Sequence, residues 1–159
     1  MDIYEYAMQM EKDGEDFYRN LARKTPNVGL QNILTMLANA EVKHYNVFHA
    51  MKYNGPIPDT DTEILANVKN IFLRMREEKE TPVNTPQIDL YRKAQEIENK
   101  SRDFYLEKAD EVTTSQKAIF IRIADEEKTH YFILENIIDF VSRPDTWLEN
   151  PEWYHLEEY

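Results

Sequence analysis

Residues 41–45 read EVKHY, and residues 127–131 read EKTHY. Each places an imidazole three residues after a carboxylate and runs on into apolar residues, Val47-Phe48 in one case and Phe132-Ile133-Leu134 in the other. Glutamate and histidine at that spacing share one face of an α-helix, where each residue turns the chain by about 100°. The rest of the chain supports a helical reading. There are only 3 glycines, and the prolines fall between periodic segments.

Working outward, a first helix is expected from about Asp2 to Lys24, ended by Thr25-Pro26-Asn27. A second runs from about Val28 to Tyr53, ended by Asn54-Gly55-Pro56. A third starts near Asp61, a suitable N-cap, and reaches about Glu80, with Ile64, Leu65, Val68, Ile71, Phe72 and Met75 on one face. A fourth spans roughly Pro86 to Asp110 and a fifth roughly Ser115 to Ser142. The domain is thus residues 1–142, with a crossover helix at about 61–80, followed by an aromatic tail at 143–159.

The chain also repeats itself. Shifted by 87 residues, the first helix lies on the fourth: Tyr4 meets Tyr91, Glu11 meets Glu98, and Asp16-Phe17-Tyr18 meets Asp103-Phe104-Tyr105. Shifted by 86, the second lies on the fifth: Ala38 meets Ala124, Glu41 meets Glu127, and His44-Tyr45 meets His130-Tyr131. Neither hairpin can bury its apolar face alone, so the two pack as a four-helix bundle. About 30 residues between the second and fourth helices, where antiparallel neighbours need only a short loop, imply a long crossover and an up-down-down-up order.

Helical geometry then collects the polar residues. Around the first helix, Tyr4 and Tyr18 lie within about 20° of Glu11 and Ala7 within about 40°. Glu98 repeats this with Tyr91, Tyr105 and Ala94. Leu34, Leu37 and Phe48 surround the direction of Glu41, and Phe120, Ile123 and Leu134 that of Glu127, with His44 and His130 each about 60° away. Four glutamates and two histidines therefore point into one core. Unpaired carboxylates in an apolar interior are very costly, and four together repel. Two divalent cations would neutralise them, with neutral histidines completing the ligand set. The bland alternative is a metal-free Glu–His ion-pair network. Glu-x-x-His alone is a weak signal, since Glu152-x-x-His155 in the tail matches it too. The ensemble is stronger, because Glu11-x6-Tyr18 precedes Glu41 as Glu98-x6-Tyr105 precedes Glu127.

At this point the chain resembles a known family. Glu11-x6-Tyr18, Glu41-x-x-His44, Glu98-x6-Tyr105 and Glu127-x-x-His130 look like the di-iron motif set of the rubrerythrin and ferritin-like superfamily, over roughly residues 2–142. The resemblance implies an all-α ferritin-like bundle. It implies two iron ions, for which manganese or a mixed pair suits the same ligands. Glu41 and Glu127 would bridge, Glu11 and Glu98 would be terminal ligands, and His44 and His130 would each cap one ion. Tyr18 and Tyr105 would hydrogen-bond to carboxylates. The implied activity is an oxidoreductase acting on hydrogen peroxide or O2. Rubrerythrins usually also carry a four-cysteine rubredoxin-like site; this chain has no cysteine, so electrons would come from an external donor such as a rubredoxin-type protein. Where rubrerythrins carry an extra glutamate, three residues after the first glutamate of the third bundle helix, this chain has Ser101, so the site reads as more symmetric and closer to ferritin or bacterioferritin. Two other readings stand beside this one: a ferroxidase that sequesters iron, and a non-catalytic interaction module with a structural polar core.

Composition narrows the partners. A net charge of −11 argues against nucleic acid and anionic membrane. The absence of cysteine excludes disulfides, thiolate nucleophiles and cysteine-ligated metal centres within these residues. No apolar run approaches a membrane span, and the first residues lack an apolar signal region, so a cytoplasmic protein is expected. Trp147, Trp153, Tyr154 and Tyr159 would cap the bundle or contact a second subunit, and a homodimer is expected. Glu15 and Arg102, at equivalent repeat positions, are expected to pair. His49 is expected at the surface, and Tyr45 and Tyr131 in the inner packing. Glu126, directly before Glu127, has the length to orient a histidine across the bundle, but its counterpart Ala40 does not, so no role is assigned to it.

Overall fold

The computed structural model describes residues 1–60, 63–81 and 88–143. Five helices follow in order: α1 (Ile3–Arg23), α2 (Val28–Lys52), α3 (Ile64–Glu77), α4 (Ile88–Lys108) and α5 (Thr114–Ser142), with a 3-10 turn at Ala109–Glu111 before α5. Among the described residues there is no strand, as an all-α bundle requires.

Local chemistry sets the helix ends. The Asp2 side chain accepts from Glu5 N at 2.8 Å, and the Asn27 side chain accepts from Leu30 N at 2.9 Å, so each caps orphan amides of its helix. Thr113 does the same for α5. Two helices close with a residue in the left-handed region: Asn54 at φ 55° after α2 and Lys79 at φ 53° after α3. In both, the next amide reaches back to the last turn, Gly55 N to Ala50 O at 2.9 Å and Glu80 N to Met75 O at 3.0 Å, which is the Schellman arrangement. The expected N-cap Asp61, the expected start at Pro86 and the aromatic tail residues lie outside the described residues. Glu63, the residue before α3, makes no side-chain cap.

α1 packs chiefly on α2, and α4 on α5, giving the two hairpins implied by the repeat. Hydrogen bonds between hairpins fix their relative direction. Tyr18 on α1 donates to Glu98 on α4, while Tyr105 on α4 donates to Glu11 on α1. Residues later on one helix meet residues earlier on the other, so α1 and α4 are antiparallel. His44 meets Glu127 and His130 meets Glu41, which makes α2 and α5 antiparallel too. Together these contacts give the up-down-down-up order of the ferritin-like bundle. α3 supplies the crossover: its 14 residues span about 21 Å, and Ile64, Val68, Phe72 and Met75 pack into the core.

The core is split into two apolar clusters. One, near the ends of α1 and α5, includes Leu34, Leu37, Tyr91, Ile133, Leu134 and the crossover residues. The other, near their starts, includes Ala7, Val47, Phe48, Tyr105, Phe120 and Ile123. Each fully buried large side chain contributes about 1.5–3 kcal/mol, so the clusters hold the bundle shut on either side of a polar middle. No described helix is long and apolar enough to cross a membrane.

Candidate metal centre

The polar middle contains the six residues the repeat singles out. Glu11 comes from α1 and Glu98 from α4, while α2 supplies Glu41 and His44, and α5 supplies Glu127 and His130. All six are buried, none more than 2% exposed. Their donor atoms form two overlapping groups, Glu11-Glu41-His44-Glu127 and Glu41-Glu98-Glu127-His130, and within each group one atom per residue lies within 4.8 Å of the others. Glu41 and Glu127 belong to both.

Both histidines turn Nδ1 inward. His44 Nδ1 lies 2.7 Å from Glu127 Oε1 and 3.4 Å from Glu11 Oε2. His130 Nδ1 lies 3.3 Å from Glu41 Oε1 and 3.5 Å from Glu98 Oε1. Despite these approaches, Nδ1 of both rings and one oxygen of each of the four glutamates lack a hydrogen-bond partner of acceptable geometry. Buried polar atoms normally find partners. Six that converge without pairing fit a charge held between them better than they fit one another. Carboxylate oxygen with imidazole nitrogen is a donor set for iron or manganese, so the residues present could hold two such ions.

Electrostatics point the same way. Glu41 and Glu127 are held well above the usual carboxylate range, by burial first and then by the negative charge of Glu11 and the other carboxylates. Glu98 goes the other way: burial would raise it, but the charge of His130 and hydrogen bonds, one from Tyr18, hold it at about 2. His44 is raised well above the ordinary histidine range, burial opposing and the charge of Glu11 prevailing. Within one cluster the carboxyls are driven apart because they cannot all ionise together without cations.

Tyr105 OH donates to Glu11 Oε1 at 2.5 Å, and Tyr18 OH donates to Glu98 Oε1. Burial, then the neighbouring carboxylates, pushes both phenols well above their usual range, so each stays a donor. Gly14 sits against the cluster: a Cβ there would stand 3.1 Å from Glu41 Oε2. Its repeat counterpart, Ser101, is buried on α4.

Several placements differ from expectation. Glu126 does have a partner: it accepts from His44 Nε2 at 3.0 Å, while Thr60 Oγ1 donates to its other oxygen at 2.7 Å. The repeat hides this contact, because Ala40 stands at the equivalent position and Thr60 lies beyond the helix. Glu15 does not pair with Arg102. Arg19, four residues on along the same helix, reaches Glu15 at 2.6 Å, and Arg102 turns to Asp103 at 3.1 Å. Tyr45 is exposed, not inner packing, and stacks on His49 at 6.3 Å; Tyr131 is half-buried. His49 is exposed as expected.

The family model described as Rubrerythrin matches residues 2–138. Neither the curated proteins nor the solved structures contain a match. The match spans nearly all of the described bundle and every residue of the buried cluster. The chain belongs to the rubrerythrin family.

Proposed function

We propose that the chain is a di-iron oxidoreductase that reduces hydrogen peroxide or O2 with electrons from an external donor. Glu11, Glu41, His44 and Glu127 would hold one ion, and Glu41, Glu98, Glu127 and His130 the other. The observation that carries this reading is the pair of donor groups sharing Glu41 and Glu127. A bound ferrous pair supplies the two electrons that convert one hydrogen peroxide and two protons into two waters. The chain's residues do the rest. Glu41 and Glu127, which belong to both donor groups, would serve both ions, and Tyr18 and Tyr105 orient the carboxylates of Glu98 and Glu11 by donating to them. The apolar clusters above and below limit water, so charges within the cluster act at low dielectric.

The test is anaerobic loading with Fe(II), then stopped-flow mixing with hydrogen peroxide or with O2. Rapid ferrous oxidation, at two irons per peroxide, is expected. Loaded protein that neither oxidant turns over would sink the proposal. A rubredoxin-type donor should then restore the ferrous state.

Ser101 favours a second reading. With Ser101 where rubrerythrins carry an additional glutamate, the ligand set has the twofold symmetry of the repeat, which suits a ferroxidase feeding iron storage. Storage requires a cage of many subunits, so native mass decides between the two. A dimer supports the oxidoreductase reading and counts against the cage.

A further inference from the structure

The repeat makes the six buried donors nearly twofold symmetric, but it fails one step outside them. His44 and His130 both turn Nδ1 toward the carboxylates, which leaves Nε2 to carry the proton in the neutral ring. At His44, Nε2–H donates to Glu126 Oε1 at 3.0 Å. Glu126 is itself held, accepting from Thr60 Oγ1 at 2.7 Å with Arg122 Nε 3.9 Å from the same oxygen. At His130, Nε2 is buried and has no hydrogen-bond partner among the described residues. The residue that would repeat Glu126 on α2 is Ala40, which has neither length nor an acceptor.

A carboxylate accepting from the outer nitrogen of a histidine fixes its tautomer and ring orientation and makes the inner nitrogen more basic. Among the described residues, only the His44 ring has this support. We infer that Glu126 is a positioning residue that makes the two metal positions unequal, so that the position built on His44 binds a divalent ion more tightly and fills first. The inference rests on the dinuclear reading above, but adds an order of loading that the symmetric ligand set does not predict. Thr60 extends the effect beyond the bundle helices, because the segment after α2 holds Glu126 through a hydroxyl.

The experiment is anaerobic titration of metal-free protein with Co(II), followed by calorimetry and by d–d absorption. Wild type should bind in two resolved steps. The tight step should survive His130→Ala and disappear in His44→Ala. Glu126→Ala should weaken the tight step by about 10–100-fold and leave the weak one in place, so that the two steps merge. Glu126→Gln, which keeps an acceptor oxygen and nearly the same volume, should retain part of the difference and serves where the alanine variant folds poorly. Two equal constants in wild type, or a tight step untouched in both Glu126 variants, would overturn the assignment of Glu126 alone. No stoichiometric Co(II) binding at all would sink the dinuclear reading itself.

Discussion

The imidazoles of His44 and His130 lie nearly parallel across the bundle, with ring centroids 5.8 Å apart and an angle of 13° between their planes. Around them are four carboxylates that cannot all be ionised without compensating charge, so the metal-free cluster depends on protons. For Glu41 and Glu127, raised by burial and then by Glu11, the contribution to folding is full below the unfolded value of about 4.3 and is lost as pH climbs through the folded one. His44, raised by Glu11 against burial, likewise contributes fully below about 6.5 and loses its contribution at higher pH. Glu98, held at about 2 by His130 against burial, runs the opposite way: its contribution is present above about 4.3 and is lost as pH falls toward 2. Metal-free protein should therefore be most stable at about pH 4.3, lose stability as pH rises from there, and melt at a lower temperature at pH 8. Each kcal/mol lost lowers the melting temperature by about 2–4 °C. Ferrous ion replaces the protons and should reverse the trend. Calorimetric scans of chelated and loaded protein at three pH values check this, and a melting temperature that rises steadily with pH in the metal-free form refutes it.

The shared carboxylates should matter more than the terminal ones. Glu41 and Glu127 each belong to both donor groups, whereas Glu11 and Glu98 each belong to one. Glu41→Gln should therefore take metal content from about two ions per chain to nearly none, while Glu11→Gln keeps about one. The Glu41 carboxyl is held protonated in the metal-free state, so the isosteric amide should leave metal-free stability unchanged or slightly higher. Elemental analysis after dialysis, paired with thermal scans, separates ligand loss from fold loss. Metal content near zero in both wild type and Glu41→Gln would leave the polar core a purely structural device, and both ions retained in Glu41→Gln would remove Glu41 from the ligand set.

Tyr18 and Tyr105 reach between hairpins to carboxylates on the partner helix. Removing either hydroxyl leaves a buried carboxylate oxygen without its donor. A hydrogen bond to a charged group contributes about 1.5–3 kcal/mol, and the burial of both partners here leaves little solvent screening. Tyr105→Phe should lower metal-free stability by roughly that amount and weaken iron binding at the Glu11 side. Tyr18→Phe should do the same at the Glu98 side. Chemical denaturation gives the first quantity and ferrous titration the second. If both tyrosine variants match wild type in both, the phenols serve only as packing.

Much of this site was legible because one repeated pattern encodes helix, face and ligand together. Glu41 and His44 lie on a face lined by Leu34, Leu37 and Phe48, so helical periodicity alone places them inside. Contacts that cross between elements without a repeated counterpart were not legible. The place of Glu126 directly before Glu127 made a contact with a histidine across the bundle conceivable, but Ala40 at the repeat position argued against it, and nothing along the chain announces Thr60, which lies outside any helix. Arg102 and Glu15 occupy matching repeat positions, yet the local i, i+4 partner Arg19 wins because it needs no tertiary alignment. Tyr45 shows the limit of angular reasoning: an offset of about 40° from the ligand direction is inside for a narrow residue but lets a long ring swing outward onto His49.

Gly14 offers a way to disturb the cluster without touching a donor. Alanine is favoured over glycine within a helix by about 1 kcal/mol, so on propensity alone Gly14→Ala would stabilise α1. Its Cβ, however, would lie 3.1 Å from Glu41 Oε2 and 3.4 Å from Glu41 Cδ. The carboxylate end can rotate more cheaply than the helix backbone can shift, so Glu41 should move by a few tenths of an ångström while the fold survives. Because Glu41 serves both donor groups, both ferrous constants should weaken, by about 10-fold, with little change in melting temperature. Asp13→Ala, at an exposed neighbouring position on the same helix, should change neither constant. Anaerobic ferrous titration of the two variants beside wild type measures this. An unchanged isotherm for Gly14→Ala would mean that Glu41 has room to spare and that the glycine is not there for the metal site.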